Sequence, residues 1–405
     1  MKRAKLTCLT LLSILFSVNI INAQCDPISG KDVLGRPCGG TLQTAVPFLR
    51  INPDARSGAM GDVGIGISPD ANAMHFNASK LAMADQKFGG SLSYTPWLHN
   101  LGVNDIYLAY LSGFYQFGSG NVKQAVGLSL RYFSLGEIQW TDYNATPLGT
   151  GSPREFELAA SYSRQLSENF SVGITGKYFY SNLATGQSPD GGTGSDKIHS
   201  GQGGAADISM TYKQPLSLNG GKGDYMIGVA ISNIGGKVNY FKTSDFLPTN
   251  LGIGGAINYP FDQFNRIVFA LDLNKYLVPT PQPLTTDPTG SWRTISPIAG
   301  IFKSFTDAPG GFGEELQSIS ISTGAEYWYD NQFAFRAGYF YEDKSKGGRQ
   351  YLTVGLGLKY SVVGINLSYL VPTSSQRGPL DNTLRFSLLF DAASFKDGSV
   401  DNSNN

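Results

Sequence analysis

Apolar residues alternate with polar or small ones through most of the chain between Lys87 and Asp391, which divides into about fourteen segments of roughly ten residues each. In Val126–Tyr132 the apolar side chains fall on even numbers, and Arg131 falls on the other set. Val172, Ile174, Tyr178 and Tyr180 oppose Lys177 in the same way. Phe333, Phe335, Ala337, Tyr339 and Tyr341 form one face of a further segment, with Arg336 and Gly338 on the other. Leu352, Val354, Leu356, Leu358 and Tyr360 face away from Thr353, Gly355, Gly357 and Lys359. Successive strand side chains point to opposite sides, so one set can meet lipid while the other lines a polar interior. Alternation alone equally fits a soluble sandwich, in which one face meets a core and the other water. Three further features separate the two.

The first is the leader. Met1–Lys5 is basic, Leu6–Ile21 is mostly apolar, and Ile21-Asn22-Ala23 ends in a small residue, so residues 1–23 read as a signal peptide with Gln24 as the mature terminus. Cys25 does not read as a lipidation site, because Gln24 stands where such signals place a small residue. The second is parity. Short links such as Asp330-Asn331 and Ser361-Val362 alternate with long ones such as Leu135–Pro153, Asn182–Gln202 and Tyr276–Gln317. Outer-membrane barrels sort their connections this way, with short periplasmic turns and longer extracellular loops. The third is the placement of Tyr94, Trp97, Tyr107, Tyr110, Tyr132, Tyr178, Tyr180, Tyr259, Tyr327, Trp328, Tyr339, Tyr341 and Tyr369 toward segment ends, where they suit headgroup girdles. The predicted fold class is therefore all-β, a transmembrane antiparallel barrel of about fourteen strands over residues 87–391, followed by a polar tail at 392–405. Beyond the leader no stretch approaches the roughly 20 apolar residues of a spanning helix.

Formal net charge is zero and the cations are dispersed, which argues against a nucleic-acid partner. Cys25 and Cys38 remain as a pair in an exported chain, which predicts a disulfide across a short N-terminal loop, two free thiols being the alternative.

Residues 24–86 precede the barrel. The part from Thr41 to Ala84 is rich in small and polar residues, with helix-start chemistry at Ser68-Pro69-Asp70 and near Asn77. It has too few large apolar residues for a core of its own, so it is expected to pack in the lumen as a partly helical plug. Asn52, Asp54, Arg56, Asp62, Asp70 and Asn77 are its candidate contact residues, and Asp54, Arg56, Asp62 and Asp70 are expected to meet Arg131, Lys177, Arg336 or Lys359 on the inner wall. Glu326 and Asp272 are expected to partner those same cations. The Tyr276–Gln317 excursion is too long for an idle loop, and Trp292, Phe302, Phe305 and Phe312 within it are candidate partner-binding residues.

Several longer runs carry a resemblance. Phe48–Asp62, Ser68–Ala73, Phe76–Lys80, Ser93–Leu98, Leu130–Ile138, Phe305–Phe312, Gly324–Tyr329 and Arg336–Glu342 resemble the PorV (LptO) family, outer-membrane barrels of the type IX secretion system of Bacteroidetes. The resemblance covers essentially the whole mature chain. It implies a FadL-like barrel with an N-terminal plug, in the outer membrane of a Gram-negative bacterium of Bacteroidetes type. It further implies a non-enzymatic protein that binds the C-terminal signal domain of cargo, accepts it from the translocon barrel SprA and presents it to the sortase PorU. The partners so implied are SprA, PorU, cargo signal domains and outer-membrane lipid.

The residues themselves offer no catalytic constellation and call for no cofactor. His75, His99 and His199 are widely spaced, without ligand neighbours at metal-binding intervals. Gly64 and Gly66 lack the third glycine of a dinucleotide fingerprint. Two readings remain from different classes: an interaction protein docking cargo on its long loops, and a FadL-like transporter of small hydrophobic molecules. A transporter should line a continuous apolar path, whereas the inward sets above carry Arg, Lys, Glu, Ser and Gly.

Overall fold

The computed structural model describes residues 25–26, 31–32, 42–98, 105–118, 122–142, 144–188, 196–218, 221–282, 287–373 and 382–392. The signal peptide, Cys38, His99 and the tail beyond Ala392 lie outside the described residues, as does the side chain of Cys25.

Fourteen antiparallel strands close into a barrel. They are β1 (Phe88–Pro96), β2 (Ile106–Phe117), β3 (Gln124–Leu135), β4 (Arg154–Gln165), β5 (Phe170–Asn182), β6 (Gly201–Leu218) and β7 (Gly221–Gly235). The circuit continues with β8 (Asn250–Pro260), β9 (Asn265–Tyr276), β10 (Ile319–Tyr329), β11 (Phe333–Tyr341), β12 (Gln350–Tyr360), β13 (Val363–Pro372) and β14 (Leu384–Ala392). Each pairs with its sequence neighbours, and β14 returns to β1 with Phe386 opposite Tyr94. Closure pairs both edges of every strand, the condition for spanning lipid with strands. No helix among the described residues is long and apolar enough to cross a membrane.

The alternation read from the sequence is the alternation of the wall. Leu128 is 69% exposed and Phe269 57%, while Arg131 and Asp272, on the opposite sets of their strands, are buried. Short turns are set by local chemistry: Asp330 and Asn331 both adopt positive φ, as a two-residue hairpin turn requires, and Gly118 does so after β2. Long connections gather at the other end, including a separate two-stranded hairpin of Ile138–Thr141 and Pro147–Gly151. Three of the girdle aromatics depart from expectation. Tyr110 and Trp97 are buried inside, Tyr110 beneath Arg131 at 5.4 Å and Trp97 edge-on to Phe133, and Trp328 shares the inner set with Glu326, its ring 5.4 Å from the Arg336 guanidinium.

One irregularity interrupts the ladder between β6 and β7, where the register shifts between Ala206 and Ile208. Asn233 occupies the bulge with φ 59°. Its backbone N–H donates to Asp207 at 2.7 Å and its side-chain oxygen accepts from Lys177 at 2.9 Å.

Candidate functional site

The lumen is filled by residues 42–86, so the site is the join between this plug and the wall, together with the mouth above it. The plug is built of single turns: Pro47–Arg50 and Ala78–Met83 are 3-10 helices, and α1 (Ala55–Gly58) and α2 (Ala73–Phe76) are α-helical. Asp54 caps α1 by accepting from the Ser57 amide at 2.8 Å, and Asn77 caps the second 3-10 turn by accepting from the Ser79 amide at 3.2 Å. Turns this short have no stability alone. The wall holds them.

It does so around much of its circumference. Arg56 donates two bonds of 3.0 Å to Glu326 on β10, and to Asp70 at 3.1 Å. Arg336 on β11 donates to the same Glu326 at 2.6 Å and to Asn366 on β13 at 2.8 Å. Asp272 on β9 accepts from the Gly64 and Ile65 amides at 2.7 and 2.9 Å. On β6 Thr211 accepts from Asn77 at 2.9 Å, on β2 Gln116 donates to the Ala84 carbonyl at 2.8 Å, and on β3 Arg131 donates to the Phe48 and Leu49 carbonyls at 3.1 Å. Charges this deep are tolerable only when paired or hydrogen-bonded.

The pairing differs from the one expected. Neither Asp54, Asp62 nor Asp70 forms an ion pair with Arg131, Lys177, Arg336 or Lys359 among the described residues. The plug instead presents a cation, Arg56, to an acidic wall residue, Glu326, and two arginines share that carboxylate. Asp62 accepts from Asn52 at 2.6 Å and from the Tyr351 hydroxyl, and stands 3.6 Å from Arg385. Lys177 pairs with Asp207 at 2.7 Å beside the bulge, away from the plug carboxylates. Lys359 reaches Asp391 at 2.9 Å at the short-turn rim.

Close approach explains glycines that alternation leaves unexplained. A methyl group at Gly338 on β11 would lie 2.1 Å from the Gly61 nitrogen, and one at Gly324 on β10 would lie 2.4 Å from the Met60 carbonyl oxygen. The plug backbone crosses the wall there. Arg385, Gln116 and Tyr351 are also contact residues beyond those singled out from sequence. Arg385 was within reach, since it alternates with Leu384 and Phe386 on the last strand.

Above the plug lies a cavity of about 430 Å³ at the long-loop end. One wall is apolar, with Phe48 and Ile51 of the plug beside Trp97, Phe133 and Leu135. The facing wall is polar, with Asn250, Asn274, Ser320, Ser322 and Arg385. His75 is buried against Arg131, whereas His199 is exposed. Neither belongs to a metal-binding group, and none is found among the described residues.

Among its described residues the Tyr276–Gln317 excursion carries a 3-10 turn at Ser291–Thr294 and two short α-helices, α3 (Pro297–Lys303) and α4 (Phe312–Gln317). Trp292 is buried, stacked on Phe246 beside Val278, so it is an anchor of the loop itself. It is seated by a turn in which the Ser291 amide and hydroxyl and the Trp292 amide donate to Asp287, holding that carboxyl down to about 2. Phe302, Phe305 and Phe312 are exposed.

Comparison with known proteins fits this geometry. The family profile described as Type IX secretion system protein PorV matches residues 39–283, more than half of the chain. The chain belongs to the PorV family. The match takes in the plug and the first nine strands, where the wall contacts of Asn77, Gln116, Arg131 and Asp272 lie. Among solved structures, the deltaS2S3 mutant of the monoaromatic hydrocarbon channel TodX aligns with a TM-score of 0.51 at 13% identity, over 84% of this chain and 99% of that one. The Ralstonia pickettii toluene transporter TbuX aligns at 0.48 and 12% identity, over 85% and 100%. At such identity the likeness is one of fold, a FadL-like outer-membrane barrel. No curated protein matches the chain in sequence.

Proposed function

We propose that this PorV-family barrel is a non-enzymatic cargo carrier of type IX secretion. It binds the C-terminal signal domain of exported cargo at its long-loop end, receives it from the translocon barrel SprA and presents it to the sortase PorU, in the outer membrane of a Bacteroidetes-type cell. The observation that carries this reading is the filled lumen. Buried contacts on β2, β3, β6, β9 and β10 fasten the plug, which leaves the mouth and its loops as the working surface. Tagged protein isolated from membranes should bring cargo and translocon with it. A deletion strain should retain its cargo uncleaved, and purified protein alone should leave cargo intact. Normal surface attachment of cargo in the deletion strain would overturn the proposal.

A second reading has one specific observation in its favour, the aromatic wall of the cavity above the plug. A FadL-like transporter would admit a small apolar molecule there and release it past the plug or through the wall. Uptake of such a molecule into proteoliposomes that depends on the barrel would favour it.

A further inference from the structure

The Tyr276–Gln317 excursion has its polarity reversed. On α3, Ile298 and Phe302 lie one turn apart and are 68% and 73% exposed. Gly300, between them, is buried, and a methyl group there would touch Pro279 and Phe246 at 3.1 and 3.2 Å. The small side of this helix faces the loop's own core, and the large apolar side faces out. Phe312 at 77% and Leu316 at 52% repeat the pattern on α4. In water such a patch is a liability. A lipid-facing element carries it without penalty.

What fixes the patch in space is Lys275. On β9, Val268, Ala270 and Asp272 are buried within, whereas Phe269, Leu271 and Leu273 are exposed on the lipid-facing set, to which Lys275 also belongs. Yet Lys275 is covered. Glu315 of α4 bonds it at 2.8 Å and the Phe305 ring lies 6.0 Å from its ammonium, leaving its side chain 12% exposed. The part of the excursion that carries Phe305 and α4 therefore bends outward over the wall, while Trp292 and Arg293 stay packed on Phe246 and Asp245. A strand of the length of β9, tilted as barrel strands are, rises about 30 Å, close to the hydrocarbon thickness. Lys275, one residue from its upper end, stands at the edge of the apolar belt. Lys303, exposed at the end of α3, adds a cation beside Phe302 and Phe305, as interfacial helices place them.

We propose that α3 and α4 form an interfacial anchor, seated in the outer leaflet beside β9 and β10, with Ile298, Phe302, Phe305, Phe312 and Leu316 among the lipid chains. The occupant of the patch is lipid. The inference requires only the outer-membrane barrel and stands independently of the cargo-carrier reading.

Depth-resolved quenching tests it. Cys25→Ser/Cys38→Ser protein carrying Phe302→Cys or Phe312→Cys is labelled with bimane, checked for heat-modifiability, and placed in vesicles of phosphatidylcholine brominated near the headgroup end of its chains. Leu148→Cys, exposed on the separate hairpin between β3 and β4, is the control. Emission should be lost at 302 and 312 and kept at 148. A cysteine-independent arm uses Phe302→Asp/Phe312→Asp in the otherwise natural chain, which should melt lower than the natural protein in vesicles and equally in detergent. Unquenched labels at both positions, or equal melting in vesicles, would overturn the anchor. A patch reserved for a protein partner would give that result, because these vesicles hold no other protein.

Discussion

Glu326 shows what a single residue decides in this lumen. Two guanidinium groups, Arg56 from the plug and Arg336 from the neighbouring strand, converge on one carboxylate at 3.0 and 2.6 Å, and its side chain is 1% exposed. Removing the negative charge leaves Arg336 without a carboxylate partner and Arg56 with Asp70 alone, and losing one partner of a buried pair costs about 3–5 kcal/mol in comparable sites. Glu326→Gln should therefore lower the temperature at which the barrel loses its compact electrophoretic form. Lys359→Ala is the informative contrast. It breaks an ion pair too, but at the half-exposed rim with Asp391, where such pairs contribute about 0–1 kcal/mol. Equal shifts in the two variants would mean that Glu326 is better hydrated than the structure implies. Sequence parity placed Glu326, Arg336 and Asp272 on the inner face. It did not say which partner each would take, because the plug has no register that alternation could reveal.

At the scale of elements, the strands were legible because lipid and lumen impose a period of two on every one of them. About fourteen segments were expected between Lys87 and Asp391, and fourteen strands form from Phe88 to Ala392. Tyr110 was misread for a physical reason: an aromatic near a strand end suits a headgroup girdle, but parity puts this one inside, under Arg131. The inner glycines were illegible for another. Gly338 and Gly324 look like curvature residues until the plug backbone is seen against them. Gly357 is inner for a different reason, since a side chain there would meet the Arg336 guanidinium at 2.7 Å and the Asn366 side chain at 2.8 Å. The lipid face of β12 is tested by Leu356→Arg against Thr353→Ser. Leu356 is 52% exposed to the belt, where arginine costs about 2–4 kcal/mol near the midplane. Thr353→Ser keeps the hydroxyl that accepts from the Gly61 amide at 2.8 Å, and should insert nearly as the natural chain does. Equal loss of folded barrel in both would overturn the face assignment.

For the whole molecule the question is whether the plug only seals the barrel or also builds the surface that works. Phe48, Arg50, Ile51 and Asn52 line the cavity at the mouth, so the floor of any docking surface there is plug, while the walls are strand. Gly338→Val separates the two roles, because its side chain would occupy the place of the Met60-Gly61 backbone while its outward neighbours Ala337 and Tyr339 remain unchanged. The barrel should still insert, since every ladder hydrogen bond is independent of side-chain identity at that position, although with the plug partly displaced. Two measurements then follow on one preparation. Conductance in planar bilayers should rise above that of the natural protein, because fourteen strands enclose a polar lumen once it is no longer filled. Co-purification of cargo should fall together with it, because the floor of the mouth has moved. Raised conductance with cargo recovery unchanged would assign the plug to sealing alone and move the docking surface entirely onto the loops.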